Sequence, residues 1–186
     1  IVQRDPLFTY EHLYFGGSIA LSDDGNVIAI GAYDEQGSST GVNGDETALG
    51  ITGSGAAYVY SRVDWQSPWM KQAYIKASNT STHDNFGKSI ALSGDGSTLV
   101  VGAPCEKSSA PGINGDQTDT SLTCAGAVYV FDNLTGGWVQ QAYVKSDAPG
   151  GMAQFGYNMA VSQNGSILAI GDPNICLLYT SPSPRD

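Results

Sequence analysis

The chain has 186 residues, 24 of them Gly, with 8 Lys plus Arg against 18 Asp plus Glu and a formal net charge of −10. That balance argues against nucleic acid, whose binding needs a basic stripe, and against an anionic membrane surface. No run of about 18 apolar residues is present, so no segment reads as a membrane-spanning helix, and a hydrophobic content of 41 % is that of a folding chain, not of a disordered tail.

In chain order, residues 1–14 read as the remnant of a preceding unit with its linker, with an extended piece near Ile1–Gln3. Ile1 is no initiator and opens no leader pattern, so the N-terminus reads as a cut. From Phe15 onward the sequence repeats itself. Phe15-Gly16-Gly17-Ser18-Ile19-Ala20-Leu21-Ser22 returns as Phe86-Gly87-Lys88-Ser89-Ile90-Ala91-Leu92-Ser93 and again as Phe155-Gly156-Tyr157-Asn158-Met159-Ala160-Val161-Ser162, at offsets of 71 and 69 residues. Gly55-Ala56-Ala57-Tyr58-Val59-Tyr60 returns as Gly126-Ala127-Val128-Tyr129-Val130-Phe131, and Trp69–Ser78 as Trp138–Asp147. Repeats of this kind are tandem structural units.

The second unit gives the clearest elements. Alternation of side chains with period two predicts strands A at 86–93, B at 97–103, C at 126–132 and D at 138–145. Ser93-Gly94-Asp95-Gly96 and its counterparts at Ser22 and Ser162 supply Asp-Gly or Asn-Gly for tight A–B hairpins, with the positive φ that such turns use. No helix of useful length is predicted. Four short strands per unit in tandem predict an all-β fold, a partial β-propeller of about two and a half four-stranded antiparallel blades. The units are 15–85, 86–154 and a truncated 155–175. Phe15, Phe86 and Phe155 are expected at the blade entries, each followed by a Gly that allows close backbone approach. Tyr58, Tyr129, Trp69, Trp138, Tyr74 and Tyr143 recur in register and are expected to pack between blades.

Phe86-Gly87 and Gly102-Ala103-Pro104, bracketing a hairpin, resemble the FG-GAP repeat of integrin α-subunit propellers, and more closely a bacterial and protist branch of that family. The resemblance covers residue 15 to about 174, and it departs at Ala32-Tyr33 and Asp172-Pro173. It implies a closed propeller completed by further blades of the same chain, a secreted or cell-surface location, and ligand binding on one loop face. The calcium cage of integrin-type hairpins is not carried over, because one carboxylate in Ser93–Thr98 cannot supply the six to eight oxygens that Ca²⁺ takes. Residues 176–186 break the repeat and resemble a translated sequencing adapter; they are set aside as a non-native tail.

In a four-stranded meander the B–C loops and D-to-A links share one end. The loops Tyr33–Ser54 and Cys105–Ala125 therefore join Ser78–Asn85 on one face, where binding is expected. The candidate ligand-binding residues are Asn43, Asp45, Glu46, His83, Asn114, Asp116 and Asp119. Asp45, Asp116 and Asp119 are weak candidates for a Ca²⁺ site, against the plainer reading of Asn-Gly turns with solvated acids. His12 and His83 are repeat equivalents with the plain reading of exposed linker residues. Cys105 and Cys124 flank a loop between neighbouring strands and are candidates for a disulfide, which suits an extracytoplasmic protein. No catalytic order or metal-ligand spacing is present. The expected function is a noncatalytic binding or adhesion module with a protein or glycan ligand. The alternatives are a propeller glycosidase or lyase whose site lies in further blades, and a structural spacer.

Overall fold

The computed structural model describes residues 13–133, 137–174 and 178–182; His12 and most of the 1–14 segment lie outside them. The first sheet holds β1 (Phe15–Leu21), β2 (Val27–Ala32), β3 (Ala56–Ser61) and β4 (Met70–Ile75). The second holds β5 (Ser89–Leu92), β6 (Thr98–Ala103), β7 (Ala127–Asn133) and β8 (Trp138–Val144). The third holds β9 (Asn158–Val161), β10 (Ile167–Gly171) and β11 (Leu178–Pro182). In each sheet the spatial order follows the chain order and all pairs are antiparallel. These are consecutive blades of a β-propeller, with strand A innermost.

The hairpins form as expected but by a different device. Only the glycines Gly25, Gly96 and Gly165 take positive φ, at 69°, 71° and 72°. The acid or amide before each one works as a side-chain acceptor instead. In the second blade Ser93 Oγ donates to Asp95 Oδ1 at 2.5 Å, and Thr98 N donates to Ser93 Oγ at 2.9 Å. Ser22–Asp24 and Ser162–Asn164 repeat this bond. Such local bonds fix a turn without requiring left-handed backbone at two positions.

Both faces of a blade are covered. Phe86, fully buried, lies in a core shared by the first two sheets, with Val59, Ala73 and Ile75 from one and Leu99, Val101, Tyr129 and Phe131 from the other. Phe155 occupies the matching place between the second and third sheets, beside Val128, Val130, Leu168 and Ile170. Phe86 meets Tyr129 edge-on at 5.2 Å between ring centroids, and Phe15 meets Tyr58 in the same way at 5.3 Å. Burying one such ring contributes about 1.5–3 kcal/mol. The Phe is not the first residue of the second blade's strand: β5 starts at Ser89, and Phe86 forms a parallel bridge to Gly55 of the preceding blade. Glycine is required on both sides of that step. A Cβ on Gly55 would fall 2.0 Å from the Phe86 carbonyl oxygen, and one on Gly87 would fall 2.3 Å from that of Ala56.

The blades are stitched near the axis. Ser18 Oγ donates to the Gly87 carbonyl at 2.8 Å, and Ser89 Oγ donates to that of Gly156 at 2.5 Å. At the hairpin end, Asp23 N donates to Gly94 O at 2.8 Å, and Gln163 Nε2 reaches Asp23 Oδ2 at 2.7 Å.

The tail that the sequence analysis set aside enters the third sheet. β11 pairs with β10 from Ile167↔Pro182 to Gly171↔Leu178, the place that β3 and β7 hold in the complete blades. Backbone N–H and C=O groups along an open strand edge accept any extended segment in register, so departure from the repeat pattern does not prevent this pairing.

Candidate functional site

The β2–β3 and β6–β7 loops double back along their own blades. Val42 bridges Ile75 and Ile113 bridges Val144, so each loop covers the outer edge of the last strand. Asn43 and Asn114 hold this return, both in the left-handed region, at φ 55° and 56°. The Asn43 amide donates to Tyr74 O at 2.7 Å while its Oδ1 accepts from Tyr74 N at 3.0 Å. Asn114 makes the same pair of bonds with Tyr143. These two side chains fasten the loop to the sheet.

The acids beyond them are turned inward on their own turns. Asp45 Oδ1 accepts from Thr47 N and Oγ1 at 2.8 and 2.6 Å, and Asp116 does so from Thr118 at 2.8 and 2.7 Å. Asp119 accepts from the amides and hydroxyls of Ser109 and Ser121. The Ser109 bonds lead in drawing its carboxyl down to about 2. Glu46 pairs with Lys71. His83 takes φ 59° and donates its amide to Thr52 O at 2.8 Å. The loop candidates thus share a face without converging on a common point. Among the described residues no group of three His, Cys, Asp or Glu is placed to hold a metal ion.

Beneath this face lies a charge system that the sequence analysis did not single out. Lys76 Nζ stands 2.7 Å from Glu35 Oε2, with side chains 0 % and 5 % exposed. Lys145 stands 2.6 Å from Glu106 Oε2 in the next blade. Gly37 N donates to Glu35 Oε1 and Ser108 N to Glu106. Burial pulls both ammonium groups below their ordinary value, and the carboxylate partner opposes part of that shift. A buried pair is kept by its hydrogen bonds as much as by its attraction. The available signal was repetition: Glu35/Glu106 recur at the offset of Phe15/Phe86, and Lys76/Lys145 at that of Trp69/Trp138.

A third pair closes the seam between the two blades. Asp84, buried in the link from β4 to β5, pairs with Lys107, whose Nζ also donates to Thr82 O at 2.7 Å. Burial pushes the Asp84 carboxyl up, and Lys107 holds it back. Asn79 of the same link donates to Glu106 Oε1 at 3.0 Å and accepts from the Tyr129 hydroxyl at 2.5 Å. Cys105 and Cys124 are joined in a disulfide that clasps the base of the β6–β7 loop.

Where the innermost strands begin, β1, β5 and β9 border an axial cleft of about 410 Å³ lined by residues 17–19, 88–90 and 157–159. Tyr33 stands at its rim: the Lys88 ammonium lies 3.8 Å from the ring centroid, and Tyr14 stacks on it at 4.5 Å. Sequence reasoning passed over this cluster because its members come from different units and recur in none.

Residues 69–131, from the last strand of the first blade through the third of the second, match the family model of the FG-GAP repeat. No curated protein matches the chain. The Phe-Gly entries, the serine-capped hairpins, the antiparallel blade order and this match together support an FG-GAP repeat assignment, matched over residues 69–131, in a chain whose sheets are consecutive blades of a partial β-propeller.

Proposed function

We propose that the chain is a noncatalytic binding or adhesion module of an extracellular or cell-surface protein, in which further blades complete the ring and the loop face receives a protein or glycan ligand. The observation that carries this reading is the state of the face. Most acids and lysines of its described loops are taken up in internal bonds: Glu35–Lys76, Glu106–Lys145, Asp84–Lys107, and the turns of Asp45, Asp116 and Asp119. A group so engaged shapes a rigid surface; it is not a poised acid, base or nucleophile. Loops fixed on a rigid scaffold are where binding usually sits. The apolar side chains Leu49, Ile113 and Met152 stand exposed along this face, in the manner of interface anchors. FG-GAP repeats often serve in binding or adhesion, and the Cys105–Cys124 disulfide suits an oxidising compartment.

The test is an array of immobilised glycans and matrix proteins probed with the chain. Saturable binding is expected to fall at least about tenfold in the L49D/I113D/M152D variant, since anchors of this kind carry most of an interface's energy. It is expected to persist in W65S, altered at the exposed Trp65 of the opposite end. Loss in W65S with retention in the triple variant overturns the assignment of the face. Turnover of an array glycan overturns the noncatalytic reading.

A further inference from the structure

Three Asn-x-Ser/Thr triplets occur in the chain, at Asn79-Thr80-Ser81, Asn133-Leu134-Thr135 and Asn164-Gly165-Ser166. Such a triplet is an acceptor for N-linked glycan, and the fold treats these differently. Asn79 is engaged in the seam between the first two blades. Its Nδ2 donates to Glu106 Oε1 at 3.0 Å and to Gln117 O at 3.2 Å, while its Oδ1 accepts from the Tyr129 hydroxyl. A bulky sugar on that nitrogen would have to open the seam. Asn133-Leu134-Thr135 lies partly outside the described residues.

Asn164 stands at the tip of the β9–β10 hairpin, at the repeat position of Asp24 and Asp95. In the second blade Asp95 Oδ1 accepts from Ser93 Oγ, Ser97 N and Ser97 Oγ. Asn164 Oδ1 accepts the same set, from Ser162 Oγ at 2.9 Å, Ser166 N at 3.1 Å and Ser166 Oγ at 2.7 Å. The Ser166 amide can only donate, so it fixes which side-chain atom of Asn164 is the oxygen. One oxygen meets every demand of this turn. Exchange of carboxylate for amide leaves those bonds in place and adds an NH₂ group with no hydrogen-bond partner among the described residues. Asn164 is exposed, and this does not depend on its place in the last sheet: Asp95, in a blade with neighbours on both sides, is exposed as well. The adjoining Gln163 is turned back onto Asp23, away from the tip.

We propose that Asn164 is a site of N-glycosylation. Its Nδ2 attacks the anomeric carbon of an oligosaccharide carried on a polyprenyl diphosphate. The C1–N bond forms as the C1–O bond breaks, the diphosphate leaves with the electron pair, and the amide gives up one of its protons. The product keeps Oδ1 as an acceptor, so the hairpin retains its bonds from Ser162 and Ser166. Gly165, at φ 72°, offers no side chain to obstruct the sugar, and Ser166 is exposed beside it. The β1–β2, β5–β6 and β9–β10 hairpins lie at the end opposite the long loops. A glycan there adds a bulky, solubilising group to the hairpin end and leaves the loop face open to its ligand. The proposal rests on the extracellular reading of the chain and adds a modification at the other end of the blades.

The test is secretion of the full chain, behind a cleavable leader, from a eukaryotic cell. N-glycans are then released by peptide N-glycosidase in heavy-oxygen water, and each asparagine is mapped by mass spectrometry. Asn164 is expected to be occupied and Asn79 bare in the folded product. S166A is expected to lose the Asn164 glycan and S166T to keep it. N164D loses the glycan but keeps the acceptor oxygen, as Asp24 and Asp95 do. It is therefore expected to melt at the temperature of unglycosylated parent made in bacteria. A bare Asn164 in the folded secreted chain, a glycan on Asn79 in the same material, or an N164D chain that melts well below the unglycosylated parent overturns the site. If Asn164 is bare while the loop variants still govern an array ligand, the module reading stands and only the modification falls; if Asn164 is occupied and no array ligand is found, the reverse holds.

Discussion

In the first blade the buried Glu35–Lys76 pair is completed by a hydroxyl. Ser54 Oγ accepts from Lys76 at 2.7 Å and donates toward the carbonyls of Glu35 and Gly37, both at 3.0 Å. In the second blade the same position is Ala125. The Glu106–Lys145 pair is completed instead from outside, by Asn79 of the neighbouring link, and the loop base is held by the Cys105–Cys124 disulfide. The first blade has Asp34 and Gly53 where that disulfide stands, and a Cβ on Gly53 would come 3.3 Å from Asp34 Oδ1. The ion pair is thus the constant and its supports are interchangeable. A buried charge pair demands that its remaining polar atoms be satisfied, but is indifferent to which residue does so.

The largest effect tests the constant. Lys76→Met and Lys145→Met each strand a buried carboxylate and are expected to cost about 3–5 kcal/mol in urea unfolding, while the double change Glu106→Leu with Lys145→Met recovers most of that loss. A single-variant cost below about 1 kcal/mol would place these lysines with surface pairs, which contribute about 0–1 kcal/mol. Next comes the covalent support. Reduction of Cys105–Cys124, or its replacement by serines, is expected to cost about 3 kcal/mol from the chain entropy of a loop near 20 residues. The reverse graft, Asp34→Cys with Gly53→Cys, is expected to form a second bridge, read as the loss of two further hydrogens by mass spectrometry. Gly53 at φ 63° and Cys124 at φ 50° already share a backbone conformation.

Smaller still is the hydroxyl. Ser54→Ala makes the first blade like the second without the second's compensation, and is expected to cost about 1–3 kcal/mol, read from the urea midpoint. No change there would mean that water replaces Ser54. The smallest effect concerns acid. Asp119 has no counterpart in the first blade, where Ala48 stands. Its folded pKa of about 2 lies below the ordinary 3.8, so its turn contributes fully above about pH 4 and is lost as pH falls toward 2. Asp119→Asn is expected to lie slightly below the parent in melting temperature at neutral pH and to flatten that acid limb, the two converging as pH falls toward 2; an identical acid limb would show that the turn is not coupled to folding.

The repeat made most of the scaffold legible. Phe15, Phe86 and Phe155, the hairpin glycines and the strand order follow from period-two alternation and fixed offsets. The buried charges were less visible, because Glu and Lys read singly as solvated surface and only their recurrence in register marks them as architecture. Asn43 and Asn114 read as binding candidates, yet their side chains cap backbone groups of strands some thirty residues on, a partnership that spacing does not encode. The Lys88–Tyr33 rim is the opposite case: its residues come together only when blades stand side by side, and each looks like noise against the repeat.

The Gln163–Asp23 bond joins the third blade to the first, past the second. Stacked repeats that touch only their neighbours melt piecemeal from their ends. A link that skips a unit makes the middle blade's order depend on both flanks at once. Trimming this array by one blade would therefore loosen a sheet that the removed blade never packs against.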